Sequence, residues 1–404
     1  MLTLALIGCG GMGRRHLRGL QKLQSISARR FRLVAVVDIF AANAELAAQQ
    51  AEELLGERPR MFASLAEMEQ AIGAVDGVIV TTMPDLHAQV GAEAFSLGIN
   101  VMVEKPIALT VEQGIELITA AERTGRKLAV AENYRRDPIN RLAKALIDAG
   151  VLGNIHLAIQ SSSGSGERVI ITPWRHRKES GGIVVDMGIH YADLLEYFVG
   201  PIRSVYGLNA TVDQQRVDPE GNWHEVDAED LSVGVARFEN GAIGNYLIDC
   251  AGRGEGHFSR LIYGSKGSLS IPHDRSGKSL KLSLRQNGTD TAIDPADQLA
   301  LVPDFELDDV TAKLFGGKRL SSYDLSFADI DANLLAIEQD DFASAIVDDR
   351  QPEVDGRFAL RSLAIAYGFI ESELIGRPLE IDTLIRGEDS PYQASIASAA
   401  GSAR

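Results

Sequence analysis

Only two cysteines, Cys9 and Cys250, occur in 404 residues, and they stand far apart. That count excludes a disulfide framework and offers no zinc-ligand spacing. Long apolar runs are missing as well: no stretch approaches the ~20 residues a helix needs to cross a bilayer. Basic residues are outnumbered, 40 Lys and Arg against 56 Asp and Glu, for a formal charge of −16. A nucleic-acid partner requires a basic face, so this balance argues against one. No internal repeat is present. The first glycines come too soon after Met1 for a signal peptide to precede them, so the expected location is the cytoplasm.

What is present is the apolar content of an ordinary globular protein, in a chain longer than one typical core. Two domains are the expectation. The apolar run Leu2-Thr3-Leu4-Ala5-Leu6-Ile7 leads into Gly8-Cys9-Gly10-Gly11-Met12-Gly13, and Arg14-Arg15-His16-Leu17 begins a helix. In this setting Gly8 permits a tight turn, Gly10 lets a pyrophosphate approach the backbone, and Gly13 lets the helix pack against the strand. The helix N-terminus presents free N–H groups and a positive dipole end to phosphate. Cys9 fills a variable slot of the loop as a small residue. A lone GxGxxG is weak evidence, but here a strand precedes it and a helix follows.

A second apolar run, Leu33-Val34-Ala35-Val36-Val37, ends in Asp38. An acid at that place accepts hydrogen bonds from the adenosine ribose and repels a 2′-phosphate, which favours NAD over NADP. It could instead cap the next helix. The motif-to-acid spacing exceeds the usual ~20 residues, which points to a longer helix or loop near residues 25–30.

Strand and helix patterns then alternate. Helices are expected at 41–55, 64–72, 86–97 and 110–124, and strands at 75–81, 100–104 and 127–132. Alternation implies a parallel sheet covered on both faces, with ligands beyond the carboxyl ends of its strands. After Tyr134 the pattern changes. A helix at 138–149 is followed by strand-like runs at 155–163, 204–212, 231–238, 242–249, 260–263, 268–271 and 280–284. Turns such as Glu239-Asn240-Gly241-Ala242 are hairpin signals. The fold class is therefore α/β: an N-terminal Rossmann domain, residues 1–133, and a C-terminal α+β domain, residues 134–385, on a large, mostly antiparallel open sheet. Residues 286–323 lack periodicity and read as an inserted loop. Helices are expected at 329–347 and 359–374, and the Ser- and Ala-rich end, 386–404, as a loose tail.

Three patterns carry chemical potential. Glu104-Lys105-Pro106 ends a Rossmann-type strand, where a lysine can meet substrate or nicotinamide ribose oxygens, although a lysine at a strand end is more often solvent-facing. In the helix that follows Gly181-Gly182, Asp186 and His190 are four apart and share a face. A His exchanges protons near neutral pH, and a carboxylate beside it fixes the ring. A surface pair or a core His is the bland alternative. Asp193 lies one further turn along. The third pattern, Asn133-Tyr134-Arg135, sits where the pattern changes, and a domain junction favours a cleft. Trp174 and Arg175 could add an aromatic floor and a cationic wall; a basic surface loop is the other reading. Arg168, Arg175 and Arg177 hint at an acidic substituent on the substrate. Thr82-Met83-Pro84-Asp85-Leu86-His87 ends another strand beside the cofactor, with His87 there to cap or pack.

Together these motifs resemble the Gfo/Idh/MocA family, the glucose–fructose oxidoreductase and inositol dehydrogenase-like proteins. The resemblance spans roughly residues 2–379 and rests on the glycine loop, on Pro84-Asp85-Leu86-His87, on Glu104-Lys105-Pro106, and on Gly181-Gly182 through Asp186 and His190. It implies Lys105, Asp186 and His190 as the catalytic group and Asp38 as the NAD-type discriminator. It also implies oxidation or reduction of a pyranose or cyclitol hydroxyl with NAD(P), and oligomer contacts, as a homodimer or homotetramer, through the C-terminal sheet. Two departures stand out: Asp85 replaces a common Asn, and 286–323 is long. Cofactor contacts are expected from Gly8, Gly10, Gly11, Met12, Gly13, Asp38, Thr82, Pro84, His87, Glu104 and Lys105. Substrate contacts are expected from Asn133, Tyr134, Arg135, Trp174, Arg175, Asp186 and His190. No metal is expected. The expected activity is hydride transfer between NAD and a secondary hydroxyl of a sugar, glycoside or cyclitol. The alternatives are an NAD-dependent glycosidase acting through transient C3 oxidation, and a non-catalytic cofactor-sensing regulator.

Overall fold

The computed structural model describes residues 1–402. Its first sheet has six parallel strands: β1 (Leu2–Ile7), β2 (Phe31–Val37), β3 (Arg60–Phe62), β4 (Gly77–Val80), β5 (Asn100–Glu104) and β6 (Leu128–Ala131). Their order is β3-β2-β1-β4-β5-β6, so the sequence reverses direction between β1 and β4. The carboxyl ends of those two strands open the crevice where dinucleotides bind in such sheets. The strands are nearly all apolar and buried because helices cover both faces.

Local chemistry sets the helix ends. Ser64 caps Leu65–Ile72 by accepting from Glu67 N (3.1 Å), and the Glu67 carboxylate turns back to Ala63 N (2.9 Å). Thr110 caps Val111–Thr124, which Gly125 ends in the left-handed conformation. The first helix, Gly11–Ser25, is the longer connection that the Asp38 spacing implied.

The second sheet adds β7 (Ile155–Ser165), β8 (Ile202–Ala210), β11 (Leu231–Phe238), β12 (Ile243–Gly252), β13 (His257–Gly264), β14 (Gly267–Ser270), β15 (Lys281–Gln286), β16 (Thr289–Ile293) and β17 (Leu379–Glu380), with a separate ribbon of β9 (Gln215–Val217) and β10 (Trp223–Glu225). The order is β16-β15-β14-β13-β7-β12-β11-β8-β17, and only β7 and β12 pair in parallel. Alternate residues of β11 point inward and are buried under helices Ile183–Val199 and Gly356–Ile375.

Two expectations need correction. Residues 286–323 are not a bare loop: β15 and β16 form an edge hairpin through Asn287 and Gly288, both at positive φ (51° and 81°), and short helices follow at Pro295–Gln298 and Asp309–Phe315. β16 is almost wholly exposed, which is why it shows no apolar alternation. The expected loose tail contains a helix, Pro391–Ser402, in which Tyr392 and Ile396 are buried. Gln393 Oε1 accepts Val111 N at 2.8 Å, and Tyr392 N donates to Glu371 at 2.8 Å. Residues 403 and 404 of that call lie outside the described residues. Helix Phe327–Val347 crosses back to the first sheet, where Phe342 meets Phe31 at 5.6 Å between ring centroids and Lys22 pairs with Asp329 at 2.8 Å. No helix among the described residues is long and apolar enough to cross a membrane.

The second sheet encloses a buried ion pair. Arg260 donates to both oxygens of Asp274 (2.7 and 2.8 Å) and to Gln160 (2.6 Å). Burial opposes the charge on Asp274, but Arg260 outweighs it and holds the carboxyl below its ordinary range. Arg260→Met should lower stability by about 3–5 kcal/mol, because it strands the buried carboxylate. Chemical denaturation checks this; an unchanged midpoint contradicts the account.

Candidate active site

The glycine loop divides its glycines by task. Gly8 has φ +87°, and a Cβ there would stand 2.8 Å from Thr81 and Thr82 backbone atoms. A Cβ on Gly13 would stand 2.1 Å from the Gly8 carbonyl oxygen. Those two are required by the fold itself. A Cβ on Gly10 or Gly11 would meet nothing within 4 Å, so the protein leaves that space open. Gly10 is the N-cap of Gly11–Ser25 and makes no side-chain cap bond, so the first N–H groups remain available to an anion. Met12 is half-buried beside them. This arrangement fits a dinucleotide pyrophosphate.

Asp38 stands at the end of β2. It accepts from Cys9 N (2.7 Å) and from Phe40 N (2.8 Å), one bond on each oxygen. It does not cap the next helix, whose N-cap is Phe40. Each carboxylate oxygen keeps a second acceptor site for a ribose hydroxyl. The residues that follow, Ile39 and Phe40, are exposed and carry no positive charge for a 2′-phosphate.

Thr82 and Pro84 lie at the end of β4, against the glycine loop. The sequence also places His87 and Glu104 among the cofactor contacts, but the structure commits their polar atoms to the protein. His87 is buried between the carbonyls of Pro106 (2.8 Å) and Thr82 (3.1 Å), and burial lowers its pKa. Glu104 meets His16 Nε2 at 2.9 Å and accepts Lys105 N at 3.1 Å. Both are struts behind the crevice.

Lys105 follows β5 directly and reaches across to helix Ile183–Val199. Its Nζ lies 2.9 Å from Asp186 Oδ1 and 3.1 Å from the Asp186 carbonyl. Arg175 Nε holds the other Asp186 oxygen at 3.1 Å, and its guanidinium lies over Trp174, 4.4 Å from the ring centroid. Burial would raise the Asp186 pKa, but Lys105 and Arg175 outweigh it and bring it down to about 2.

One turn later stands His190, 4% exposed. Its carboxylate partner is not Asp186, on the same helix face, but Glu132, at the end of β6, whose oxygens lie 2.7 and 2.8 Å from Nδ1. Burial alone would raise Glu132; the attraction of His190 outweighs it and holds the carboxyl below its ordinary range. Tyr134 stacks on the imidazole, 4.0 Å between centroids and 6° from parallel.

The other expected substrate contacts divide. Asn133 accepts from Arg275 Nη2 at 3.3 Å. Arg135 is 5% exposed and pairs with Asp193 through both Nε (2.9 Å) and Nη2, so it is a buried brace and not a substrate ligand. The suggestion of an acidic substituent is not supported: Arg175 is spent on Asp186, Arg177 on Asp227, and Arg168 is exposed. Sequence reasoning missed Glu132 and Arg275. The first was legible as a polar residue at the carboxyl end of a parallel strand, the rule that singled out Lys105. Arg275, over the Tyr134 ring at 4.9 Å, had no sequence signal.

On the second sheet, a cleft of about 370 Å³ is lined among others by Ser162, Ser163, Met187, Tyr191, Asp249 and His257; it shares the helix that carries Asp186 and His190, but neither of those two nor Lys105 lines it. No lysine or arginine lines it. Its lining combines serine hydroxyls, apolar side chains, Asp249 and two histidines, His257 and His273.

A doubly wound dinucleotide-binding domain whose strand ends meet a second, open-sheet domain at a lysine, an aspartate and a histidine defines a nicotinamide-dependent oxidoreductase. The comparisons narrow the class. Residues 2–132 match the model of the oxidoreductase family with the NAD-binding Rossmann fold, and residues 140–270 match the GFO/IDH/MocA C-terminal domain. The chain belongs to the GFO/IDH/MocA family. It is 27% identical over 293 residues to levoglucosan dehydrogenase of Pseudarthrobacter phenanthrenivorans, covering 68% of this chain and 74% of that one. It is also 27% identical to inositol 2-dehydrogenase of Rhizobium meliloti, covering 68% and 76%. A levoglucosan dehydrogenase structure in complex with NADH and L-sorbose superposes with a TM-score of 0.74 at 22% identity, covering 94% of this chain and 98% of that one; at that identity it speaks to the fold alone.

Two predictions follow from the geometry. Gly10→Ala should leave the melting temperature of the free protein unchanged while weakening NAD binding about tenfold, or ~1.4 kcal/mol; Gly13→Ala should instead lower the melting temperature. Melting curves and a binding titration separate the two. Because Asp186 is depressed to about 2, its pairing contributes fully above the ordinary Asp range, ~3.9, and is lost as pH falls through about 2. Asp186→Asn should remove that part of the acid-side loss, seen by comparing denaturation midpoints at about pH 5 and about pH 2.5.

Proposed function

We propose that the protein transfers a hydride between NAD and a secondary hydroxyl carbon of an uncharged sugar, glycoside or cyclitol. The observation that carries this reading is the convergence of Lys105, from the first domain, on Asp186, with His190 one turn away on the same helix. The bound nicotinamide supplies the hydride acceptor or donor. The Lys105 ammonium stabilises negative charge that develops on the substrate oxygen. His190 takes up the hydroxyl proton on Nε2, since Nδ1 is engaged by Glu132. Asp186, kept ionised by two cations, holds the Lys105 ammonium in place. Arg175 and Arg177 are paired with Asp186 and Asp227, which supports a neutral polyol over a phosphorylated or carboxylated one. The relatives named for levoglucosan, D-xylose and inositol support the same class. The reading includes a cytoplasmic location, where the buried thiols of Cys9 and Cys250 stay reduced.

A second copy of the chain is the expected partner. Leu208, Val233, Val235 and Ile243 lie on the outer face of three adjacent strands, and between 38% and 57% of each is exposed. An apolar sheet face of this kind marks an interface.

Purified protein with NAD should form NADH with members of a panel of free sugars, glycosides and cyclitols, and much less with glucose 6-phosphate or uronic acids. Aglycone release with ring C–H exchange and no net NADH would replace this reading with the glycosidase one; NAD binding without any turnover would leave the cofactor-sensing regulator. Lys105→Ala should lower kcat by at least about 100-fold while NAD binding persists. Val235→Asp should reduce the mass measured by light scattering to that of one chain. A monomeric wild-type protein would remove the interface proposal.

A further inference from the structure

Three carboxylates surround the His190 imidazole, and the structure leaves only one of them free to orient it. Asp186 is committed on both oxygens, to Lys105 at 2.9 Å and to Arg175 at 3.1 Å. Asp193 is committed on both oxygens to the Arg135 guanidinium. Glu132 alone reaches the ring. Its two oxygens lie 2.7 and 2.8 Å from Nδ1, and Oε1 also accepts the Tyr134 N–H at 3.2 Å. Both partners are sealed, with side-chain exposures of 6% for His190 and 3% for Glu132. Among the described residues Nε2 makes no hydrogen bond, and unlike Nδ1 it is not wholly closed off, so it remains available to a substrate hydroxyl.

Resting on the reading above, we propose that Glu132 is the positioning residue of the proton-transfer group: it takes the Nδ1–H of His190 and so fixes Nε2 as the unprotonated nitrogen presented to the substrate hydroxyl. A neutral imidazole carries one N–H, and the nitrogen that bears it follows the hydrogen bond the ring makes. An ionised carboxylate at Nδ1 can only accept, which places the proton there. When the substrate O–H bond breaks, its proton moves to Nε2. The imidazolium so formed is stabilised by the same carboxylate, and Glu132 itself exchanges no proton. In the reverse direction Nε2 returns the proton to the oxygen.

Two neighbours make the placement rigid. Tyr134 stacks on the ring at 4.0 Å, and because its N–H is held by Glu132, one carboxylate sets both the edge and the face of the imidazole. On Tyr134 lies the Arg275 guanidinium, 4.9 Å from the phenol centroid, anchored in turn by Asp331 at 3.0 Å. The ring is held at the edge by one domain's last strand and carried by the other domain's helix.

The test uses the whole protein. In the free enzyme labelled with ¹⁵N-histidine, His190 should show the Nδ1–H tautomer. Glu132→Gln, whose amide can donate as well as accept, should mix the tautomers or invert them. The same variant should lower kcat about 100-fold or more, within the range of general acid–base catalysis, while KM for the polyol and NAD affinity stay within about threefold. Glu132→Asp should recover part of both the tautomer signal and kcat, which a purely structural role would not do. A wild-type Nε2–H tautomer, or a Glu132→Gln enzyme with unchanged kcat, overturns the proposal. Should no polyol be oxidised while the tautomer responds as stated, the functional reading fails and the positioning role stands. Loss of fold in Glu132→Gln, seen by circular dichroism, while Glu132→Ala folds with the wild-type tautomer would also overturn it.

Discussion

One carboxylate joins the two halves of this molecule. Asp186 lies in the first turn of a helix of the second domain and holds the ammonium of Lys105, which ends a strand of the first. An isolated buried carboxylate is costly, and two cations, Lys105 and Arg175, offset the cost of this one. Their attraction keeps Asp186 charged, and the charge in turn keeps Lys105 at the carboxyl end of β5, above the crevice. The pair ties the dinucleotide-binding domain to the helix that carries His190.

The same logic governs the rest of the seam. His16 keeps Glu104 ionised, and His190 does so for Glu132; in both cases burial pushes the other way and is outweighed. Glu338, on the helix that crosses back to the first sheet, is fully buried with neither oxygen hydrogen-bonded. Burial raises its pKa well above the ordinary value, with Glu104 and Glu132 adding to the effect. Partners thus decide the direction at each buried acid: Glu104 and Glu132, hydrogen-bonded to histidines, are lowered, and Glu338, without a hydrogen bond, is raised.

Legibility in the sequence followed the range of the interactions. The parallel sheet, its glycine loop and the acid after β2 were readable because strand–turn–helix units are written within about 30 residues. The hairpin at Asn287-Gly288 was also written locally, but an almost fully exposed β16 has no alternation to announce it. The helix at Pro391–Ser402 was missed because what orders it is distant: Glu371 and Val111. For the candidate site, strand-end position singled out Lys105, and helical spacing singled out Asp186 and His190. The same spacing suggested the wrong partner for the imidazole, since neighbours on one helix face compete with groups brought in from elsewhere. Arg135 read as a substrate ligand and is a buried brace, because Asp193 claims it across 58 residues.

By itself the sequence determined the family, the doubly wound first domain and the NAD-type cradle, because each depends on contacts between near neighbours or on the periodicity of one element. Only the tertiary structure decided which acid meets which base: Lys105 with Asp186, Glu132 with His190, Arg135 with Asp193. It also decided that Glu104 and His87 face inward, and that the helix at Phe327–Val347 returns to the first sheet. The three acid–base pairings depend on the distance and burial of groups 58 to 81 residues apart along the chain, and electrostatic strength in a protein interior is set by that distance and burial, which no local pattern encodes.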